Sequence, residues 1–213
     1  MKRKTTIILT TILCLSPILL GLYLYDQLPD MVPTHFNIHG EPDGWSSRPM
    51  AVFGMPLFMA GLNLLCHWAY NYMQKKENRK VAPDILMHIC DWIPAVLSVI
   101  IMPMSLFMAI GIKVPINELL NILLGVMFLV LGNYMPKCKM NAFIGIKLPW
   151  TYSSDENWRR THRLGGFVWV VCGVIMLVNV VVVKSLLLQL VPMLAAVFIP
   201  GIYSYLIYRK EKK

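Results

Sequence analysis

The sequence predicts an all-α integral membrane protein with six transmembrane helices and both termini in the cytoplasm. Three observations predict it. Of 213 residues, 57% are hydrophobic and only 15% charged, against about 45–50% and about 25% in soluble domains. Six stretches reach the roughly 20 apolar residues that a spanning helix requires. Lys and Arg gather in alternate connections between those stretches, the pattern that places cytoplasmic loops.

The first span runs from about Thr6 to Tyr25. Lys2-Arg3-Lys4 precedes it as in a secretory signal, but its apolar run of about 19 residues exceeds an h-region of about 7–15. It has no A-x-A-like site either, so an uncleaved helix is expected. The second span covers about Met50 to Tyr72, the third Ile89 to Ile112 and the fourth Ile116 to Tyr134. The fifth covers Leu164 to Val183 and the sixth Leu186 to Tyr208, with a tight hairpin at Lys184-Ser185. The expected halves are 1–112 and 113–213, three helices each. Pro94 and Pro103 in the third span, and Pro192 and Pro200 in the sixth, are expected to bend their helices. Gly165, Gly166 and Gly173 suit close helix packing.

Seventeen of the twenty basic residues fall before span one, after spans two and four, or after span six; Arg48, Lys113 and Lys184 fall on the other side. The formal charge of +9 is therefore a matter of orientation, and no nucleic-acid partner is needed. Cys14, Cys66, Cys90, Cys138 and Cys172 lie in helices or inside, where no disulfide is expected. No CxxC, HExxH, P-loop, GxSxG or GxGxxG motif occurs. No enzyme activity, metal or cofactor is expected.

Two connections are too patterned to be mere linkers. The outer one, 26–49, has four prolines and two glycines and should be compact. Glu41-Pro42-Asp43-Gly44 reads as a β-turn, and Met31 to Ile38 as an extended segment. Asp26, Asp30, Glu41 and Asp43 make it acidic, a rim that attracts cationic peptides. His35 and His39 with Glu41 and Asp43 have metal-ligand chemistry, but their Pro and Gly content argues against a helical zinc motif. The inner connection, 135–163, should be amphipathic. Ser153-x-x-Glu156 fits a capping box, Asp155/Arg159 and Glu156/Arg160 are i,i+4 pairs, and Trp158 and His162 share a face. This short helix should run on into span five. It reads either as an interfacial anchor or as a docking surface.

Inside the apolar spans, Asn63, His67 and Asn71 follow one another at i, i+4 and i+8, and His88 and Asp91 open the third span. The spacing allows a buried cluster of His67, Asn71, His88 and Asp91. It is either hydrogen-bonded glue between helices or a path for a proton or substrate.

LPDMVPTHFNIHGEPDGW (Leu28–Trp45) and GNYMPKCKMNAFIGIKLPWTYSSDENWRRTHRLGG (Gly132–Gly166) resemble, in order, two signatures of the SdpI family of bacterial membrane proteins. That family is named for immunity against a sporulation-delaying peptide toxin. The resemblance implies a multi-pass protein of the bacterial cytoplasmic membrane, embedded in lipid, that confers resistance to an extracellular antimicrobial peptide. It also implies capture of a cytoplasmic DNA-binding repressor. Carried onto this chain, Pro33, His35, Phe36, Asn37, Gly40, Asp43 and Trp45 are the candidate outer binding residues. Asn133, Pro136, Lys137, Asn141, Gly145, Pro149, Trp150, Thr151, Trp158, Arg159, Thr161, His162 and Arg163 are the candidate docking residues. Asn63, His67 and Asp91 are the intramembrane candidates. The alternative is a small transporter or lipid-handling protein using the polar face of helices two and three.

Overall fold

The computed structural model describes residues 3–77 and 83–212. Lys2, Arg79, Lys80 and Lys213, counted among the inner basic residues, lie outside the described residues. The elements are α1 (Arg3–Leu15), α2 (Pro17–Tyr23), β1 (Met31–Phe36), β2 (Pro42–Ser47), α3 (Met55–Glu77), α4 (Asp84–Ala109), α5 (Ile116–Tyr134), α6 (Asp155–Val178) and α7 (Leu187–Glu211). Among the described residues, six helical spans are long and apolar enough to cross a membrane, the first made of α1 and α2 together. The fold is thus mostly helical, with a two-stranded antiparallel hairpin that the all-α expectation omitted. The chain divides into two compact units, 1–72 with 87–117, and 73–86 with 118–213.

In the first unit, the first span is broken at Ser16. Pro17 has no N–H to give to the carbonyl of Leu13. The Ser16 hydroxyl donates there at 2.8 Å instead, and Pro17 starts α2 at the position where proline is best tolerated. The carbonyl of Cys14 accepts from the Ser98 hydroxyl of α4 at 2.8 Å. Around Val32 of β1, which is fully buried, Leu24, Leu28, Ala51, Val52 and Leu106 form one apolar cluster. A π-helical turn, Met50–Gly54, leads into α3.

In the second unit, α5 and α6 approach at backbone distance. A Cβ on Gly166 would stand 2.6 Å from the Gly132 carbonyl, and one on Gly173 equally close to that of Gly125. The two pairs are spaced by seven residues on each helix, two helical turns apart on one face. Without a hydrophobic force between helices in lipid, such close contact is the main source of association. The α6–α7 connection turns at Lys184, which takes a left-handed conformation (φ 51°). Asn179 stabilises it by accepting from the Ser185 N–H at 2.8 Å and donating to the Ser185 carbonyl at 3.0 Å. Lys184 lies 3.6 Å from Glu118.

Gly173→Leu is expected to destabilise this unit by about 1–3 kcal/mol, the usual cost of overpacking. Gly61→Leu, where nothing lies within 4 Å of the new Cβ, should be near neutral. Unfolding of the detergent-solubilised variants measures both.

Candidate functional site

Three polar constructions stand out, and two coincide with the patterned connections. The first is the hairpin. Met31 pairs with Ser47, Val32 with Ser46, Pro33 with Trp45 and Phe36 with Pro42, with irregular register around His35. The reversal lies at 37–41, not at Glu41–Gly44. Asn37 wins the turn because its side chain caps it: Oδ1 accepts the N–H groups of His39 (2.8 Å) and Glu41 (3.1 Å). Gly40 takes the required positive φ of 78°, leaving Pro42, Asp43 and Gly44 free to be strand.

Arg48 clamps the base of the hairpin. Its guanidinium donates to the Asp30 carboxylate at 2.7 Å and to the Pro29 and Tyr25 carbonyls, and it lies over the Tyr25 ring. Its N–H donates to the Asp30 carbonyl at 2.9 Å. From α4, the Ser105 hydroxyl donates to the Pro33 carbonyl. Pro33 is buried, Phe36, Asn37 and Gly40 are half-buried, and His35, Asp43 and Trp45 are exposed. The acidic rim is partly engaged: Asp43 contacts His35, Asp30 contacts Arg48, and Glu41 accepts from Asn37 at 3.2 Å. Exposed Met31, Ile38 and Trp45 add an apolar component.

The second construction is the polar cluster of the first unit. His67 Nδ1 lies 3.2 Å from Asp91 Oδ1, both side chains almost wholly buried. Asn63 donates to the Asp91 carbonyl at 3.1 Å and accepts from Thr10 and Thr11 at 3.1 and 3.2 Å. Thr10 also reaches His67 Nε2 at 3.4 Å. Asn71 is exposed and His88 half-exposed, so neither belongs to the cluster. Their places are taken by α1, whose fully buried Thr10 and neighbouring Thr11 donate to Asn63. Among the described residues, no group of three or more His, Cys, Asp or Glu is arranged to hold a metal ion.

The third construction is the 138–163 segment. The N-cap of α6 is Ser154, which accepts from the Asn157 N–H at 3.0 Å. Ser153, the cap expected from sequence, closes a short 3-10 turn instead and donates to Glu211 at 2.9 Å. Arg159 turns to Glu156 at i,i+3, 2.6 Å away, rather than to Asp155, and Arg160 to Glu156 at 3.9 Å. The helix continues unbroken into the fifth span.

Asn157, fully buried, is the hub that sequence reasoning missed. It donates to the Trp150 and Ser204 carbonyls at 2.8 and 3.0 Å and accepts from Thr161 and Ser204 hydroxyls. Its spacing, four before Thr161 and three after Ser154, was the available signal. Asn141 caps its own loop by accepting from Phe143 and Ile144 N–H groups, and Tyr152 donates to its carbonyl. Trp158 donates to the Cys138 carbonyl at 2.9 Å and stacks on His162 at 4.0 Å. His162 Nδ1 donates to the Trp158 carbonyl at 2.8 Å, which leaves Nε2 unprotonated to accept the Ile146 N–H at 2.9 Å. A Cβ on Gly145 would lie 2.4 Å from that Nε2.

The signature residues thus sort by exposure. Asn141, Thr151, Trp158, Thr161 and His162 are buried, and Gly145 and Trp150 half-buried. Asn133, Pro136, Lys137, Pro149, Arg159 and Arg163 face outward.

These features define a multi-pass membrane protein with a rigid hairpin and an internally braced connection between its fourth and fifth spans. Residues 137–204 match the SdpI/YfhL protein family, and residues 12–60 match a domain of unknown function, DUF1648. The chain is 27% identical over 209 residues to "Immunity protein SdpI" of Bacillus subtilis (strain 168), covering 97% of each chain. Over residues 137–204 the chain is thus similar to the SdpI/YfhL family, and its place is the bacterial membrane. No solved structure matches it.

Burial pushes the Cys138 thiol up to about 11. Since only the thiolate is nucleophilic, maleimide labelling of Cys138 in intact protein should be negligible at neutral pH and rise only toward pH 11. Unfolding in denaturing detergent should restore ordinary labelling.

Proposed function

We propose that this protein is an immunity protein that protects a bacterial membrane from an extracellular antimicrobial peptide. The observation that carries the reading is the end-to-end similarity to an immunity protein, with 97% of both chains aligned. The 31–47 hairpin is the surface assigned to the peptide. It is braced by Arg48 and Asn37, so recognition costs little ordering. Its exposed face combines Met31, Trp45 and Ile38 with the His35–Asp43 pair, which suits an amphipathic peptide. Trp anchors of this kind dominate binding energy elsewhere. The distribution of Lys and Arg puts the hairpin outside and the 138–163 segment inside. There the exposed Arg159, Arg160 and Arg163 form the face assigned to a cytoplasmic repressor.

Expression in a toxin-sensitive host, challenged with a panel of secreted antimicrobial peptides, tests this. Protection against at least one peptide is expected. Trp45→Ala with Met31→Ala should lower the tolerated dose about tenfold, the effect of roughly 1.4 kcal/mol. Equal killing with and without the protein across the panel overturns immunity.

The buried contact between His67 and Asp91 favours a second reading, a small transporter or lipid-handling protein working through α3 and α4. Ionisable groups at membrane depth commonly mark such paths. On this reading Asp91→Asn abolishes activity in a protein that still inserts and still binds peptide. Full activity in a correctly inserted Asp91→Asn variant removes it and leaves the cluster as interhelical glue.

A further inference from the structure

The second unit carries an apolar groove that the immunity reading does not use. The segment after Gly145 lies beside α7, and together they enclose a cavity of about 650 Å³, within the range of sites for small ligands, about 300–1,000 Å³. Ile146, Leu148, Trp150, Trp169, Phe198 and Ile202 line it. Phe198 and Ile202 are each 58% exposed, so the groove opens sideways from a membrane-crossing helix, toward hydrocarbon.

Its construction is specific. Gly201 leaves the floor open, since a Cβ there would meet only Leu148, at 3.5 Å. The indole N–H groups of Trp150 and Trp169 are both occupied by α7 carbonyls, Gly201 at 3.2 Å and Ala196 at 2.9 Å, so these rings present apolar surface. At the rim, Lys147 donates to the Ala142 and Phe143 carbonyls at 3.3 and 3.2 Å. An ammonium has three N–H groups, so one remains for an anion.

An apolar slot open to lipid, with a cation at its rim, matches the chemistry of an anionic phospholipid. We propose that this groove binds one such lipid, an acyl chain in the slot and the phosphate at Lys147. Basic pockets at the ends of membrane helices bind anionic headgroups in this manner. The signature residues Gly145 and His162 then shape a lipid site, because they fix the segment that forms its wall.

Native mass spectrometry of the full chain, released from mixed micelles holding phosphatidylglycerol and phosphatidylcholine in equal amounts, tests the proposal. One phosphatidylglycerol should be retained about fivefold over phosphatidylcholine, the scale of an exposed ion pair. Lys147→Gln, at an exposed side chain, should equalise the two while the circular dichroism spectrum stays helical. Gly201→Leu, which projects into the slot, should remove both adducts while the circular dichroism spectrum stays helical. Equal retention in the unsubstituted protein overturns the proposal. So does an adduct that survives both substitutions, or a dimer mass in place of the lipid, which would give the groove to a second copy.

Discussion

Pro200 has no N–H, so the carbonyl of Ala196 loses its donor four residues on; the indole of Trp169 supplies one at 2.9 Å. The same exchange recurs at other points where this chain leaves regular helix. Ser16 serves the Leu13 carbonyl that Pro17 abandons, and Ser98 reaches across to Cys14. His162 accepts the Ile146 N–H. Hydrocarbon offers no hydrogen bonds, and an unsatisfied backbone group there costs several kcal/mol. The polar residues of the apolar segments are placed by this constraint before any function is considered.

That constraint explains why the most recognisable part of the sequence is largely internal. Trp158, Thr161 and His162 look like a surface motif on a helical wheel. All three are buried, because the 138–153 segment folds back onto the start of α6 and needs partners there. Gly145 is small so that the backbone can touch the imidazole. Asn141 uses both ends of its amide on backbone groups, as a turn would, while Asn157 donates to two carbonyls and accepts from the Thr161 and Ser204 hydroxyls. What remains for a partner molecule is the outer layer, chiefly Arg159, Arg160, Arg163 and Lys147. The motif specifies a shape, and the exposed charges decorate it.

The six spans were legible in the sequence because apolar length is a local property. So was the stacking of Trp158 on His162, set by helical periodicity. The turn was misplaced because two competing signals lay four residues apart. Pro42-Asp43-Gly44 has turn composition, but Asn37 can bond two N–H groups at once and Gly40 supplies the positive φ. The capping residue slipped by one for a similar reason, since Ser153 and Ser154 are chemically equal and the preceding 3-10 turn consumes the first. The membership of the polar cluster depended on which helices meet. Asn71 continues the stripe of Asn63 and His67 along α3, yet only the first two find α1 and α4 opposite them. Thr10 and Thr11, adjacent hydroxyls in an apolar run, gave no sign of their partner Asn63.

The hairpin is fastened to the helices by contacts of different kinds at different depths. Val32 is buried in the cluster that contains Leu106 of α4, and the neighbouring Ser105 donates to the Pro33 carbonyl. At the tip, Asn117 donates to the Ile38 carbonyl at 3.3 Å. A load on the outer face of the hairpin therefore reaches α4 through a packed side chain and a hydrogen bond, with no flexible linker between. On the same helix, the Asp91 carbonyl accepts from Asn63 and its carboxylate faces His67. The hairpin and the intramembrane cluster thus share one rigid element, α4. A ligand on the first influences the second only if it binds two positions of that helix unequally. The prolines at 94 and 103, both inside α4 and between the cluster and the hairpin contacts, are where the helix has fewest backbone hydrogen bonds to resist such a change.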